Sequence, residues 1–362
     1  MKGVTCFFNT TQSWGGGEKW HYETALHLHL EGFPIILFVA ENSELHKKAI
    51  ASQLPAEIVD ISKFSYLSRK KVRSIASLYK KNNVHTVILN SSDNMKIGGQ
   101  AAKKANLSRV IYRRGSAIPI KNSVVNRYFF RNVLTEVLAN SEATKATINA
   151  NNKDLFPKDK ITVIPNAVDI TAFDRLAGEP LYEREASEFI IGNLGRLVYQ
   201  KNQDFLLDVA LELKERGISF KMLIGGEGKL RKDLENKITS SRLQNNVVLL
   251  GFIDNPRRFM ESIDVFLLSS HWEGFGYVLT EAMLAKKPCI AFDHSSNGQI
   301  VTDTRNGYLV PTNDVTSFCD RIETLSKDSD LIQKMGVVGR ESVEQKFESS
   351  IIRQKVKDYL FS

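Results

Sequence analysis

The sequence predicts an α/β protein made of two Rossmann-like, doubly wound domains that face a central cleft. The chain has 362 residues, which is too long for one ordinary hydrophobic core and suits two. Short β-branched runs alternate with helical patterns along the chain, as in parallel sheets covered by helices on both faces. This alternation occurs twice, with a boundary near Asn166. In such folds we expect ligands at the carboxyl ends of the strands, in the cleft.

Apolar, β-branched runs mark the predicted strands, and helical patterns such as residues 202–217 lie between them. The first series is predicted at 4–8, 34–40, 56–61, 85–90, 109–113, 136–140 and 161–166. The second series is predicted at 189–195, 221–226, 246–251, 264–270, 287–292 and 307–310. We therefore expect an N-terminal domain over residues 1–168 and a C-terminal domain over 169–345. We expect residues 346–362 to form a helix that packs back on the N-terminal domain.

Composition narrows the functional class. Hydrophobic residues make up 42% of the chain, which supports two buried cores and argues against disorder. The three cysteines are odd in number and far apart, which argues against a disulfide framework or a zinc site. Residues 1–160 hold 24 Lys+Arg and 12 Asp+Glu, a net charge of +12, so the remaining 202 residues carry −4 of the total +8. This asymmetry suggests that the first half meets an anionic surface or acceptor.

A glycine triplet, Gly15-Gly16-Gly17, follows the first predicted strand, and a helix is predicted to begin near Glu18. Glycines allow close backbone approach, and a helix start offers free N–H groups to an anion. A flexible turn without a ligand is the simpler alternative. The pattern is not GxGxxG, and no acidic ribose contact follows at the usual spacing, so dinucleotide binding is disfavoured.

Two cations follow the first strand of the second series. Gly195-Arg196 closes that strand, and Lys201 precedes the next helix, so both cations can converge on one diphosphate. Considered alone, each cation is more simply interpreted as a solvated surface charge.

The segment HWEGFGYVLTEAM (271–283) places Glu273 before Gly274-Phe275-Gly276 and Glu281 in the helix that we expect from Tyr277. The turn amides, aided by the helix dipole, could hold a phosphate. A carboxylate at Glu281 could accept hydrogen bonds from a sugar diol. The alternative for both glutamates is an ordinary acid near a helix start.

Taken in order, these pieces resemble the retaining glycosyltransferases of family four (glycosyl transferases group 1), which have the GT-B fold. The resemblance covers nearly the whole chain and is strongest from 189 to 312. Its matching pieces are Gly15–Glu18, Gly195-Arg196-Leu197 with Lys201-Asn202, Gly225-Gly226-Glu227-Gly228, Gly251-Phe252-Ile253 and Glu273–Glu281.

The resemblance implies a role for each position. Arg196, Lys201 and Glu273 would be the catalytic set, with the two cations on the donor diphosphate and Glu273 on the donor sugar. The implied donor-binding residues are Gly15, Gly16, Gly17, Gly195, Phe252, Gly274, Phe275, Gly276 and Glu281, with Phe252 beside the base and Glu281 on the ribose. The implied co-substrate is a nucleotide diphosphate sugar, most simply a UDP-sugar. No cofactor or metal is expected, because the Arg–Lys pair would do the work of a divalent ion.

Two features depart from the family pattern or could mislead. Many members carry a histidine after a middle strand of the first domain, where this chain has Arg113-Arg114. We therefore expect no catalytic histidine and treat the two arginines as acceptor-binding candidates. Asp328-Ser329-Asp330 resembles the DxD metal motif of another glycosyltransferase architecture, but it opens a polar helical pattern and is interpreted as a helix cap.

The basic amphipathic segments 67–82 and 121–133 could lie on an anionic membrane, or they could pack one face in the domain core. We expect a cytoplasmic protein, with peripheral binding to the inner face of the plasma membrane as an open alternative. We expect no nucleic-acid partner, since no recognised motif accompanies the charge.

The favoured hypothesis is retaining transfer of a sugar to a glycan or lipid-linked glycan acceptor, in cell-surface polysaccharide or lipopolysaccharide synthesis. The alternatives are a nucleotide-sugar epimerase, a glycosidic-bond phosphorylase of the same fold, or a non-catalytic nucleotide-sugar or glycan-binding module.

Overall fold

The computed structural model describes residues 3–62, 64–185 and 188–361. The chain divides into two compact units. Unit 1 contains the chain up to Ala167 together with the segment from Ile352 onward, and unit 2 contains Val168–Ile351. Each unit is built around its own parallel sheet.

Unit 1 holds seven strands in the order β3-β2-β1-β4-β5-β6-β7 among its described residues. The strands are β1 (Val4–Asn9), β2 (Ile35–Val39), β3 (Ala56–Ile58), β4 (Val84–Leu89), β5 (Arg109–Arg114), β6 (Glu136–Ala139) and β7 (Ile161–Val163). The helices are α1 (Gly16–Leu30), α2 (Glu44–Ala51), α3 (Arg69–Lys81), α4 (Ser92–Ala105), α5 (Val124–Asn132) and α6 (Glu142–Ile148).

Unit 2 holds six strands in the order β10-β9-β8-β11-β12-β13 among its described residues. The strands are β8 (Ile190–Leu194), β9 (Lys221–Gly225), β10 (Val247–Gly251), β11 (Val265–Leu268), β12 (Cys289–Phe292) and β13 (Gly307–Val310). The helices are α7 (Ile170–Arg175), α8 (Gln203–Glu215), α9 (Arg231–Ser240), α10 (Pro256–Glu261), α11 (Tyr277–Leu284), α12 (Asn297–Ile300), α13 (Val315–Ser326) and α14 (Ser329–Phe347). The chain ends in α15 (Ser349–Phe361).

All the predicted strands are present, and the predicted fold class is confirmed. The strands are apolar on both faces because helices cover both sides of each sheet, and all five residues of β2 are buried. Successive residues therefore enter opposite cores. Phe8 packs in one core of unit 1 with Phe38, whereas Phe7 packs in the other with Trp20.

The strand orders fix where each sheet can bind a ligand. In both sheets the chain moves outward in one direction and then starts again on the other side of the first strand. That reversal lies between β1 and β4 in unit 1 and between β8 and β11 in unit 2. In doubly wound sheets, ligands bind outside the carboxyl ends of the strands at such a reversal point.

The C-terminal helix α15 packs on unit 1 through a regular apolar stripe. Ile352, Val356 and Leu360 are spaced by four residues, and each is at most 5% exposed. The rings of Phe33 and Phe361 stack with centroids 4.2 Å apart. Arg109 on β5 also donates to the carbonyls of Leu360 (2.8 Å) and Tyr359 (3.0 Å) at the end of the helix. The helix is thereby fixed by apolar burial and by a cation at its C-terminus.

Two local predictions have clear outcomes. Asp328 is the N-cap of α14, where its carboxylate accepts a 2.9 Å hydrogen bond from the Leu331 amide, so the helix-cap interpretation is confirmed. Helix α1 was predicted to begin near Glu18, but it begins at Gly16, so two of the three glycines lie in its first turn. Gly17 needs to be small because a Cβ there would come within 2.7 Å of the Asn90 side chain.

The cysteines Cys6, Cys289 and Cys319 are unpaired and buried. Burial raises the pKa of the Cys6 and Cys289 thiols well above the ordinary value and raises the pKa of Cys319 to about 12. Each thiol therefore behaves as a small apolar side chain.

Candidate active site

The reversal point of unit 2 brings the loops after β8 and β11 into direct contact. The Ser269 hydroxyl donates to the carbonyls of Lys201 (3.2 Å) and Asn202 (2.9 Å). The His271 amide donates to the Gln200 carbonyl at 2.8 Å, and the Gln200 side-chain amide donates to the Trp272 carbonyl at 3.0 Å. These bonds hold the two loops in one fixed arrangement.

A buried ion pair lies where these loops meet. Lys201 Nζ is 2.6 Å from Glu273 Oε1, and the two side chains are only 15% and 9% exposed. The aliphatic part of Lys201 lies over Gly195, where an added Cβ would come within 3.3 Å of Lys201 Cε. The absence of a side chain at Gly195 thus lets the ammonium reach Glu273 across the carboxyl edge of the sheet.

The Lys201 ammonium keeps capacity for a further partner. An ammonium has three donors, and among the described residues Glu273 is the acceptor of its side-chain hydrogen bond. Glu273 uses Oε1 for this contact, and its Oε2 accepts no hydrogen bond from the described residues. The pair can therefore stay formed while Lys201 donates to an anion and Glu273 accepts from a hydroxyl.

Hydrogen bonds from Ser296 orient the turn that follows Glu273. The buried Ser296 hydroxyl donates to the carbonyls of Phe275 (3.0 Å) and Glu273 (3.4 Å). In a trans peptide the carbonyl and the following N–H point in opposite directions. The amides of Gly274 and Gly276 therefore point away from Ser296, and neither has an acceptor among the described residues.

Gly276 begins α11 in a conformation that favours glycine. Its φ is +90° and ψ is +51°, and it caps the helix without a side-chain hydrogen bond. The amino end of α11 thus joins the turn with unsatisfied backbone donors and the positive end of a helix dipole. This arrangement suits a phosphate or another anionic group.

The motif Gly225–Gly228 supports the β8 loop from the neighbouring strand. The Gly195 amide donates to the Gly225 carbonyl and the Leu197 amide to the Glu227 carbonyl, both at 2.9 Å. A Cβ at Gly226 would overlap the Gly195 carbonyl, and one at Gly228 would overlap the Leu197 carbonyl. The glycines of this motif are therefore required by backbone packing under Arg196.

The remaining donor-site candidates in unit 2 differ in exposure. Arg196 is exposed on the β8 loop, and its guanidinium makes no hydrogen bond or ion pair with the described residues. Glu281 is half-buried in the second turn of α11. Phe252 directly follows β10 and is 76% exposed. The structure thus joins Lys201, Glu273, Phe275 and Gly276 in one contact network, with Arg196 and Gly195 on the adjoining loop.

The reversal point of unit 1 has its own carboxylate. The buried Glu18 accepts hydrogen bonds at Oε1 from the side-chain amides of Asn9 (3.2 Å), the last residue of β1, and Asn90 (3.0 Å), which follows β4. Gly15 is the N-cap of α1, directly beside this cluster, with Gly16 and Gly17 in the first turn. The sequence marks Glu18 as a helix start and as part of the family motif, but its two amide partners are not evident from the sequence.

The acceptor-binding candidates Arg113 and Arg114 lie at the end of β5 and are 3% and 8% exposed. Arg113 donates to Asn166 Oδ1 at 2.6 Å, and its guanidinium lies 4.7 Å from the Trp20 ring centroid. Arg114 donates to the Ile118 carbonyl. Both arginines have structural partners, so their acceptor role stays a prediction.

Sequence reasoning missed several polar groups around the unit 2 site. Ser296 was not singled out, although a short polar run after a buried strand was the available signal. Near them, buried polar atoms without a hydrogen-bond partner among the described residues include one from the quoted motif Lys201-Asn202: Asn202 Nδ2, Gln203 Oε1, Ser270 Oγ, both ring nitrogens of His294, and Asn297 Oδ1. Unsatisfied buried groups are costly, so these atoms are candidates to contact water or a bound ligand.

Two histidines have lowered pKa values, which favour the neutral imidazole. Burial, and then the nearby His294, lower the pKa of His271 below the ordinary value of 6.5. Burial, and then the charge of Arg113, lower the pKa of His21 well below that value. Both imidazoles are therefore neutral near pH 7.

No group of three or more metal-ligating side chains occurs in the described parts of the chain. Over the same residues, no helix has the length and apolar character needed to cross a lipid bilayer.

Comparison with known proteins adds family information. The model for "Glycosyltransferase Family 4" matches residues 14–172, and the model for "Glycosyl transferases group 1" matches residues 182–342. The solved structure of Anabaena HepE in complex with UDP superposes with a TM-score of 0.83 at 18% identity, covering 98% of this chain and 99% of that one. This likeness shows the fold.

Two relatives illustrate the range of sequence similarity. A Staphylococcus aureus poly(ribitol-phosphate) alpha-N-acetylglucosaminyltransferase is 28% identical over 53% of this chain, and the match spans 39% of that protein's length. An Escherichia coli UDP-Gal:alpha-D-GlcNAc-diphosphoundecaprenol alpha-1,3-galactosyltransferase is 27% identical over 72% of this chain and 71% of its own length. The two family models lie side by side along nearly the whole chain, each on one Rossmann-like sheet, and the chain therefore belongs to the GT-B glycosyltransferases of group 1.

Proposed function

We propose that the protein is a retaining glycosyltransferase. It moves a sugar from a nucleotide diphosphate sugar to a glycan or lipid-linked glycan acceptor, in cell-surface polysaccharide or lipopolysaccharide synthesis. The observation that carries the proposal is the Lys201–Glu273 pair, 2.6 Å apart at the reversal point of unit 2 and directly before the unsatisfied amides that open α11. Cation, carboxylate and oriented amides are the groups that a sugar diphosphate requires.

Departure of the nucleotide diphosphate builds negative charge on its phosphate oxygens. Lys201 donates to that charge from a fixed position, because its stem is held on Gly195 and its ammonium on Glu273. The turn amides add fixed dipoles, and the exposed Arg196 supplies a second cation. Preorganised donors of this kind stabilise a transition state because they need no reorganisation during the reaction. This set would replace a divalent metal at the diphosphate.

In this proposal, the Glu273 and Glu281 carboxylates bind the hydroxyl groups of the donor. Glu273 accepts hydrogen bonds from donor-sugar hydroxyls at Oε2 while Oε1 stays on Lys201, and the Phe275 and Gly276 amides hold the same region. Glu281 accepts from the ribose hydroxyls, and Phe252 flanks the base. Retention follows from the family resemblance, and the two glutamates are not an acid–nucleophile pair of a glycosidase.

The nature of donor and acceptor is supported by the relatives. The names of the E. coli and S. aureus relatives include a UDP-sugar donor, a diphosphoundecaprenol-linked acceptor and a poly(ribitol-phosphate). We therefore propose a UDP-sugar as donor and a phosphate-bearing glycan or lipid-linked glycan as acceptor. Arg113, Arg114 and the segment Gly15–Gly17 remain the candidates for ligand contact in unit 1. We also propose that the enzyme works on the cytoplasmic face of a membrane, because the first 160 residues carry a net charge of +12.

The test is a panel of nucleotide sugars in a thermal-shift assay, followed by turnover with lipid-linked acceptors. A ligand at 100 times its Kd adds about 2.7 kcal/mol to the free energy of unfolding, which is easily detected. We expect stabilisation by one nucleotide sugar, transfer that persists in EDTA, and an α-linkage from an α-linked donor. An isomerised donor without acceptor would indicate an epimerase, and tight binding without turnover across acceptors would indicate a binding module.

A further inference from the structure

The segment from Ile61 to Thr135 is almost without acidic residues. Its single carboxylate is Asp93, whose Oδ1 lies 3.6 Å from Lys96 Nζ. The same segment contains 16 Lys and Arg residues: Lys63, Arg69, Lys70, Lys71, Arg73, Lys80, Lys81, Lys96, Lys103, Lys104, Arg109, Arg113, Arg114, Lys121, Arg127 and Arg131. Acids outside the segment pair with three of these cations, Lys71, Lys81 and Arg109. The excess of the remaining cations creates a positive field.

Large apolar side chains are exposed in the same segment. Leu67 is 68% exposed and Phe64 is 63% exposed, at the short 3₁₀ turn Ser65–Leu67 that precedes α3. Val124 is 72% exposed and Tyr128 is 42% exposed, on α5. A cluster of exposed apolar groups costs free energy in water, so it indicates a surface that is covered in use.

Helix α4 connects these two groups into one surface. Lys96 Nζ lies 5.5 Å from the Tyr66 ring centroid, and Lys103 Nζ lies 5.4 Å from the Tyr128 ring centroid. The Tyr66 ring also meets the Phe129 ring edge-on, with centroids 6.4 Å apart. The 3₁₀ turn, the basic side of α4 and the exposed side of α5 are therefore neighbours; we call this surface the basic–apolar face.

A pocket of about 290 Å³ opens on the basic–apolar face. Its polar lining consists of Arg69, Arg73, Lys104 and Gln100, and Leu67 stands at its edge. The three cations are exposed, and none has a carboxylate within 4.0 Å among the described residues. The pocket can hold a phosphate-sized anion, and its cations have no counter-ion among the side chains that the structure describes.

We propose that the basic–apolar face docks on a bilayer containing anionic phospholipid, with one lipid phosphate in the Arg69–Arg73–Lys104 pocket. Phe64, Leu67 and Val124 enter the interface between headgroups and acyl chains. Each cation near an anionic bilayer contributes about 1 kcal/mol, and the apolar side chains add burial. A nucleic acid fits less well, because Leu67 and Val124 offer no ring on which a base could stack. The proposal rests on unit 1 alone and does not depend on glycosyl transfer.

The experiment measures cosedimentation of the full chain with vesicles of phosphatidylcholine, with and without phosphatidylglycerol. We expect binding to the anionic vesicles that weakens as salt is added, since screening shortens the reach of the cations. The triple variant Arg69→Ala/Arg73→Ala/Lys104→Ala should lose affinity at least tenfold. The double variant Leu67→Ser/Val124→Ser should lose affinity while its binding keeps the salt dependence. All five positions are exposed, so folding should be preserved.

A matched control removes the same charge elsewhere. Lys232→Ala/Lys334→Ala/Lys355→Ala changes three exposed lysines outside the basic–apolar face and should leave binding within twofold of the parent. Equal loss in both triple variants would show a net-charge effect and overturn the proposal. Equal binding to uncharged vesicles would also overturn it. So would loss of vesicle binding in millimolar inorganic phosphate, which would indicate a site for free phosphate. Displacement of the vesicles by single-stranded RNA in the parent but not in the pocket triple variant would indicate a nucleic-acid site instead.

Discussion

Lys201 and Glu273 are 72 positions apart in the chain, yet their side chains meet at 2.6 Å in an almost fully buried ion pair. Each residue follows a strand at the reversal point of unit 2, so the topology of the sheet brings them together. A buried pair of this kind is weak evidence for stability, since its desolvation offsets much of the attraction. Its position beside free amide donors gives it a functional interpretation.

The pair can be tested through stability alone. Lys201→Ala leaves the Glu273 carboxylate buried without its cation, and we expect a loss of about 1–3 kcal/mol in the free energy of unfolding. Lys201→Ala/Glu273→Gln replaces that charge by a neutral amide and should recover part of the loss. Urea denaturation of the single and double variants gives the coupling free energy. Additive effects in this cycle would show that the two side chains do not interact in solution.

Substitutions of the two cations should have kinetic effects that differ from those of Glu281. Lys201→Ala or Arg196→Ala removes a donor to the departing phosphate and should lower kcat by about 10²- to 10³-fold. Glu281→Ala removes a proposed contact to the ribose and should act mainly on the donor KM. Initial rates over a range of donor concentrations distinguish these effects, with Lys232→Ala as the control. Equal and small effects from all three variants would contradict the assigned roles.

The Ser296 hydroxyl orients the turn by its bonds to two carbonyls. Ser296→Ala keeps the packing but frees these carbonyls, so the Gly274 and Gly276 amides lose their fixed direction. We expect kcat to fall about tenfold or more, with a stability loss of about 1 kcal/mol. Ser240→Ala, which removes an exposed hydroxyl bonded to the Lys237 carbonyl, is the control for both measurements. Unchanged kcat in Ser296→Ala would mean that the turn amides are not ligands.

Gly226, which contacts the β8 loop, can be compared with Gly217, a glycine of positive φ that follows α8 and lies outside this contact. Gly217→Ala places a residue at φ +71° in open space, so it should cost about 1 kcal/mol of backbone strain. Gly226→Ala combines φ +136° with overlap against the Gly195 carbonyl, so it should cost at least about 3 kcal/mol and displace the Arg196 loop. Thermal denaturation and nucleotide binding of the two variants provide the comparison. A Gly226→Ala protein as stable as Gly217→Ala would show that the contact relaxes freely.

The attachment of α15 should depend on acid pH. Arg109 binds Glu136 through two hydrogen bonds of 2.8 Å and also binds the end of α15. Burial raises the pKa of Glu136, but Arg109, together with Tyr359 and Lys160, outweighs burial, so the pKa lies below the ordinary value of 4.5. The carboxylate therefore stabilises the fold above pH 4.5, and this contribution is lost as the pH falls through the lower, folded-state pKa.

Hydrogen exchange of the α15 amides, corrected for intrinsic rates, measures this effect. We expect protection to fall below pH 4.5 in the parent, whereas Glu136→Gln should show lower protection and little dependence over the same range. Arg109→Gln should loosen α15 at every pH. If Glu136→Gln retained the full pH response of the parent, another carboxylate would control the attachment.

Much of this fold could be predicted because buried parallel strands have an unmistakable composition. Runs such as residues 34–40 are apolar on both faces, and no turn residue interrupts them. The motifs also indicated the correct edge of the unit 2 sheet, since strand ends and glycine turns can be recognised locally. The exact start of α1 could not be predicted, because glycines carry no clear local signal for a helix boundary and the helix includes Gly16 and Gly17 in its first turn.

The parts of the site that could not be predicted from the sequence are those created by long-range contacts. Nothing adjacent to Lys201 in the chain predicts Glu273 as its partner, and Ser296 reaches the turn from a loop more than twenty residues away. Arg113 shows that exposure also cannot be predicted locally, although its acceptor role stays a prediction. It was considered for its charge, but the fold places it against Trp20 and Asn166 at 3% exposure.

The burial of Cys6, Cys289 and Cys319 has a practical consequence for spectroscopy. Because every native thiol is sequestered and kept protonated, maleimide and iodoacetamide reagents should react negligibly with the folded chain. A single cysteine introduced on the surface of either unit would then accept a fluorophore or spin label selectively. Pairs of such labels could report distances within the working enzyme without prior removal of any natural residue.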